Sequence, residues 1–347
     1  MVQKNAGKTV SIEPYQKFVI DSFKAEDARG ISNLFLSVYG SGYPIKTFYH
    51  PDRIIRENAN GTIHSVVTRT ASGDIVGHGA LYRSSPWYNQ LYEIGQMLVL
   101  PDYRTTFAAY KMNEYLGGEL LSRVAPAGIF GEAVCHHVIT QKSSVLINMK
   151  DVALELDLMP GATYAKEHGT GSRVSCLIQF KLCSGGAQKV YIPACYREQV
   201  NFILHDLGLD RSLCEASEPF PHSSKSVIRR KFFAHAGVGR FNVVSSGADF
   251  GRKVTELERI GAERGAVILQ FFVSMGEPWS CEAVSVLRNR GYFFGGYLPQ
   301  WFDTDGILMQ KGDSNPDPTS ILLYTDKARE ILRLVLEDRE RTLAEGH

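Results

Sequence analysis

The chain of 347 residues has no apolar run approaching the ~20 residues needed to cross a bilayer. Its longest, such as Ala266 to Val273, stop far short, so the sequence predicts a soluble protein without a membrane partner. Neither charge is in excess: 38 basic residues against 37 acidic ones leave a formal net charge of +1. That balance offers no polybasic footprint for nucleic acid and no acidic tail, so no nucleic-acid partner is expected. The cysteines Cys135, Cys176, Cys183, Cys195, Cys214 and Cys281 include no C-x-x-C pair. They fit neither a zinc ribbon nor a dense disulfide frame, read as reduced thiols, and predict no metal. The opening Met1 to Pro14 is polar and lacks an apolar secretory core. It reads as a disordered lead-in, with the cytoplasm as the expected location.

The length suits two domains, each of about 150 residues. Phe18 to Phe23 alternates as a half-buried strand, and Glu26 to Tyr39 carries Ile31, Leu34, Phe35 and Val38 at helical spacing. A Gly- and Pro-punctuated stretch then leads to a helix at Asp52 to Ala59. Ile63 to Arg69, Ile75 to Tyr82 and Leu91 to Leu100 predict an antiparallel meander. Beyond Pro101, Leu116, Leu120 and Val124 recur every four residues, so Thr106 to Val124 is expected to be an amphipathic helix. A strand at Ile129 to Val134, a helix at Thr140 to Met149 and a strand at Val174 to Leu182 follow, and Cys183 to Gly186 is the expected boundary.

The second half repeats this order loosely. Strands are expected at Lys189 to Ile192, Ser226 to His235, Gly239 to Val244, Val267 to Val273 and Gly306 to Gln310. Helices are expected at Glu198 to Leu207, Lys253 to Arg264 and Trp279 to Arg290, with a terminal helix at Asp326 to Glu340 capped by Thr325. The fold class is therefore α/β (α+β). Its domains are 15–186 and 187–347, each a mixed, mainly antiparallel twisted sheet flanked by helices.

The segment richest in chemistry is Glu93-Ile94-Gly95-Gln96-Met97-Leu98-Val99-Leu100-Pro101-Asp102-Tyr103-Arg104-Thr105-Thr106-Phe107-Ala108-Ala109. An apolar strand ends there at a proline, and a short loop opens a long helix. Free amides and the dipole at such a helix start suit a pyrophosphate. Val99-Leu100-Pro101-Asp102-Tyr103-Arg104 resembles the V-x-P-x-Y-R entry to the coenzyme A loop of the GNAT acetyltransferase superfamily. Arg104 and Ala109 agree with the loop that follows, whereas Phe107 stands where the family has its first glycine. Ile75-Val76-Gly77-His78-Gly79-Ala80 and Gly131-Glu132-Ala133-Val134, with His137 and Gln141, are similar to flanking parts of the same family.

The resemblance covers about 150 residues and implies an acyl-CoA-dependent N-acyltransferase, with acetyl-CoA or another acyl-CoA as co-substrate and the amine of a small molecule or peptide as acceptor. It implies Met97, Leu98 and Val99 along the pantetheine arm, and Arg104, Thr105, Thr106, Phe107, Ala108 and Ala109 at the phosphates; taken by itself, Phe107 is expected to pack in the core. A backbone amide near Leu98 would polarise the thioester. Glu93 is the preferred base, acting directly or through one water, and His137 the second candidate. Tyr43 and Tyr49, in the loop that overhangs the acceptor in similar proteins, and Trp301 are the candidate substrate contacts.

The ending of the second half, from Pro278-Trp279 to Asp305-Gly306, resembles the last helix and hairpin of another GNAT-like unit. No strand-proline-arginine entry precedes it, so the second domain reads as a degenerate copy that shapes or covers the site. Two other readings stay open: a non-catalytic acyl-CoA sensor or scaffold, and a tandem aminoacyl transferase using charged tRNA, against which the balanced charge speaks. Whether the chain forms a homodimer is also open.

Overall fold

The computed structural model describes residues 12–43, 45–161, 173–312 and 315–345, so most of the expected lead-in lies outside the described residues. The chain forms two compact units. One comprises residues up to Ser84 together with Glu93–Ala125; the other comprises Ser85–Tyr92 and the chain from Pro126 onward.

The first unit contains β1 (Phe18–Ser22), α1 (Ala28–Tyr39), α2 (Pro51–Ala59), β2 (Ile63–Thr70), β3 (Ile75–Tyr82), most of β4 (Leu91–Val99) and α3 (Ala108–Tyr115). A π-helical turn, Leu116–Leu120, carries α3 into α4 (Leu121–Val124). The four strands are antiparallel in the order β1-β2-β3-β4. Ala108, Met112, Leu116 and Leu120, one helical turn apart, are all buried. Glycine on β3 lets this helix come close, since a Cβ on Gly79 would lie 2.8 Å from the Leu116 side chain. The other face holds α1 and α2, with Phe35 stacked on Phe48 at 4.3 Å. Arg69 grips Asp27 with two bonds of 3.0 and 2.8 Å and Asp21 with a third of 2.7 Å, tying the start of α1 to the sheet.

The second unit runs β5 (Gly128–Val134), α5 (Ile139–Leu146), β6 (Lys150–Met159), β7 (Val174–Leu182), β8 (Gln188–Ile192), α6 (Arg197–Leu204), β9 (Arg211–Glu215), β10 (Val227–Phe233), β11 (Val238–Ser245), α7 (Phe250–Glu263), β12 (Ile268–Ser274), α8 (Ser280–Arg288), β13 (Phe293–Leu298), β14 (Gly306–Gly312) and α9 (Asp326–Glu345). Its main sheet has the order β5-β7-β6-β13-β14-β12-β11-β10, and β8 pairs with β9 in parallel. Only β11 and β12 are parallel among the described pairs of the main sheet. The residues Cys183 to Gly186, expected as a boundary, connect β7 to β8 inside this unit.

Within the unit one motif occurs twice. β5-α5-β6-β7 and β12-α8-β13-β14 have the same element order and the same strand order, and they meet where Ala153 of β6 faces Gly296 of β13. Their backbones agree in detail. After α5, Asn148 takes φ 63° and the Met149 amide returns to Ser144 O; after α8, Gly291 takes φ 83° and the Tyr292 amide returns to Leu287 O, both at 3.1 Å. These are the same αL helix stop. Farther along, Asp157 and Gln300 take φ 50° and 54°, and all these pairs share one spacing along the chain.

Each copy is followed by a strand-like arm and a helix that join the other copy. The arm after the first copy sends the Tyr191 amide to Met275 O at 2.8 Å, and Ser280 Oγ closes on Tyr191 O at 2.9 Å. The arm after the second sends the Leu322 amide to Cys135 O at 2.7 Å, and Gln141 Nε2 closes on Leu322 O at 2.8 Å. Gln141 is thus a buried clamp that also accepts the Tyr324 amide. The helix α9 then lies on β6 and β13. Its buried Asp338 receives the Tyr196 hydroxyl, the Arg288 guanidinium and the Phe294 amide at 2.7 to 2.8 Å.

Candidate functional site

In the first unit, β4 is interrupted by a bulge. His78 of β3 faces Leu98 and Ala80 faces Gly95, so Gln96 and Met97 together oppose the single residue Gly79. Gln96 takes φ 56°, the left-handed region. Its side chain accepts the Tyr43 hydroxyl, and the Tyr43 amide donates to the Tyr49 hydroxyl at 2.8 Å. Tyr39 and Tyr43 have ring centroids 4.8 Å apart. On the same strand Glu93 accepts the hydroxyl of Tyr82, its partner across β3 and β4. Burial, with the Glu93 charge beside it, pushes the Tyr82 phenol well above its ordinary range, so it remains a donor. The Tyr82 hydroxyl also meets the Gln96 side chain, so Glu93, Tyr43 and Tyr49 are linked through Tyr82 and Gln96, which sequence reasoning missed. A tyrosine at the end of a strand and a glutamine within one carry no signal until the pairing register is known.

At the end of β4, Val99 leads through Leu100 into a single 3₁₀ turn, Pro101–Tyr103, and α3 begins at Ala108. Arg104 is exposed, and its Nε donates to Val99 O at 3.2 Å. Thr106 Oγ1 accepts the Ala108 amide at 3.2 Å, while the Thr105 and Phe107 amides have no acceptor among the described residues. Leu98, Val99 and Ala108 are buried, Met97 and Thr106 partly so, and Thr105 and Ala109 are exposed. Phe107 is not in the core as expected. It is 73% exposed, because its position just before the first turn of α3 turns its side chain outward while Ala108 and Met112 face the sheet.

In the corresponding loop of the second unit, between β11 and α7, the amides are taken by side chains from elsewhere in that unit. The Ser246 amide donates to Glu277 at 3.1 Å and the Gly247 amide to Ser226 Oγ at 3.0 Å. Gly247 is required there by the Ser224 backbone, 2.6 Å from where a Cβ would stand. β11 also stays in register with β12 over six consecutive pairs, Val238 with Ile268 through Val243 with Val273.

His137 follows β5 in the second unit. It is half-buried, accepts the Ile139 amide on Nδ1 at 3.3 Å, and packs against His136 with centroids 4.5 Å apart. Trp301, expected at a substrate site, is a core residue at 1% exposure. It lies flat on Phe272 at 4.8 Å and donates from Nε1 to Asn242 at 2.8 Å. Among the described residues no cluster of metal-ligating side chains occurs, and no helix is long and apolar enough to cross a membrane.

No family model and no curated protein matches the sequence. The solved structures it is similar to include N-acetyltransferases. They include the ribosomal-protein-S5-alanine acetyltransferase from Vibrio fischeri, 11% identical over 50% of this chain and 97% of that one, with a TM-score of 0.39. The ribosomal-protein-S18-alanine N-acetyltransferase from Escherichia coli is 13% identical over 51% of this chain and all of its own, at 0.38. An N-acetyltransferase from Staphylococcus aureus is 13% identical over 49% of this chain and all of its own, at 0.39.

Proposed function

We propose that the protein is an acyl-CoA-dependent N-acyltransferase, with acetyl-CoA as the first donor to test and an amine of a small molecule or peptide as acceptor. One observation carries the reading: a bulged strand ends at Val99-Leu100-Pro101-Asp102-Tyr103-Arg104 and opens a helix whose preceding amides, at Thr105 and Phe107, have no acceptor among the described residues. Such amides suit a pyrophosphate, with Arg104 as the charged contact and Thr106 and Ala109 beside it. Met97, Leu98 and Val99 would carry the pantetheine arm as an added strand.

For the reaction, a neutral amine attacks the thioester carbon, and its proton passes to Glu93 directly or through one water. An amide at the bulge, near Leu98, stabilises the oxyanion; the carbon–sulfur bond then breaks and the thiolate takes up a proton. Tyr82, hydrogen-bonded to Glu93, orients the base, and Tyr43 and Tyr49 border the acceptor. The occupied amides of the loop between β11 and α7 support the reading of residues 187–347 as a degenerate copy that binds no donor.

Isothermal titration with acetyl-CoA, free coenzyme A and a longer acyl-CoA tests this. The expected result is micromolar binding of one acetyl-CoA per chain, weakened in Arg104→Ala, with transfer to an amine panel lost in Glu93→Gln while binding persists. No binding by any of the three ligands removes the acyl-CoA reading. Binding without transfer to any amine favours the sensor reading, which the exposed Phe107 at the first-glycine position recommends.

A further inference from the structure

We infer that His78 is a positioning residue that holds the β4 bulge in the shape acyl transfer requires; the inference rests on the acyl-transfer reading above. The imidazole is fully buried on β3, walled by the rings of Phe35 and Phe48 with centroids 5.5 and 5.2 Å away. Nδ1 lies 3.0 Å from the carbonyl of Gln96, the bulge residue in the left-handed region. A carbonyl only accepts, so Nδ1 carries the proton and Nε2 accepts the Ser65 hydroxyl 3.1 Å away. Ser65 is itself fixed by Asn58, which accepts its amide at 2.8 Å and donates to its hydroxyl at 3.2 Å. Asn58 is anchored in α2 on the Ile54 carbonyl at 2.9 Å. A chain of hydrogen bonds therefore runs from α2 through β2 and β3 to one peptide of β4.

That peptide matters because of its geometry. A glutamine at positive φ is strained by about 1 kcal/mol or more and persists only where its surroundings hold it. The bond joining Gln96 to Met97 is trans and planar, so a carbonyl held toward His78 aims the Met97 amide the opposite way. Neither Gln96 nor Met97 has a ladder partner on β3. His78 thus sets the direction of the Met97 amide, which has no ladder partner on β3, at the point where the thioester oxygen needs a donor. A neutral ring suits the task, since protonation would leave Nε2 donating toward a Ser65 hydroxyl that must then turn away.

The test uses the full-length protein with acetyl-CoA and a panel of alkyl amines and short peptides, together with amide hydrogen exchange of the free protein. His78→Phe keeps an aromatic ring but removes both bonds; His78→Asn places an amide nitrogen where Nδ1 stands. In His78→Phe, kcat is expected to fall at least about tenfold with KM for acetyl-CoA within about twofold, the pattern of a lost transition-state interaction. Exchange at Gly95 to Leu98 should accelerate about tenfold while α3 stays protected, and His78→Asn should restore both toward wild type. Wild-type kcat and wild-type β4 exchange in His78→Phe would overturn the proposal, as would equal losses in both variants with faster exchange throughout the unit. If the wild type binds acetyl-CoA but transfers to no amine, the transfer reading fails, and the exchange data alone still decide whether His78 holds the bulge.

Discussion

Burial lowers the His78 imidazole to about 4 from its ordinary 6.5. The folded protein keeps the ring neutral where the unfolded chain protonates it, so between these values the unfolded state binds more protons and stability rises with pH. The contribution of His78 is present above about pH 6.5 and is lost as pH falls toward 4, amounting to about 2 kcal/mol between pH 7 and pH 5. Urea unfolding at these two pH values should show that difference in the wild type and a correspondingly smaller one in His78→Asn. An unchanged pH dependence would mean that other groups carry it. The Gly77-His78-Gly79 triplet was visible as a family-like strand, but the sequence could not show that its central residue reaches the carbonyl of a bulge eighteen positions later.

Among the elements, β6 is the instructive omission. Val152, Leu154, Leu156 and Leu158 alternate as a strand should, yet no strand is expected between Met149 and Val174 on the reading given above. The alternate positions Asp151, Glu155 and Asp157 are acidic, which suits a solvated face, but all three are buried. Glu155 is met by Arg240 of β11 at 2.8 Å and by Gln270 of β12 at 2.9 Å. Partners so far along the chain leave no local trace. Where β6 meets β13, a Cβ on Gly296 would lie 2.3 Å from the Ala153 Cα, and its φ of 142° is open mainly to glycine. Gly296→Ala should therefore cost about 3 kcal/mol or more, since the obstacle is backbone. A urea midpoint within error of wild type would show that the two copies can slide apart at this seam.

At the scale of the molecule, the second unit is bound together by exchange. The arm and helix after each copy complete the other copy, and Asp338 of α9 joins Tyr196, Arg288 and Phe294 from elements of the second half. A protease site placed in the Cys183 to Ala187 connection of the full chain should consequently be cleavable without separation of the products. Both fragments should co-elute in size-exclusion chromatography under native conditions and part only in denaturant. Fragments that separate on cleavage would mean that the arms add cover but not cohesion.

The sequence by itself determined most of the elements, because apolar periodicity, glycine stops and the Thr325 cap are local signals. Ile75–Tyr82 and Val174–Leu182 fall where alternation puts them, and the Ala328 amide meets Thr325 Oγ1 at 3.0 Å. It also offered the strand-proline-arginine entry and Glu93 as candidates. The tertiary structure alone decided that Phe107 faces outward and Trp301 inward, that Gln96 bends β4, and that Glu277 fills the second loop. It likewise decided that each copy borrows an arm from the other. These outcomes depend on strand register and on contacts between residues distant in the chain, which no window of neighbouring residues encodes.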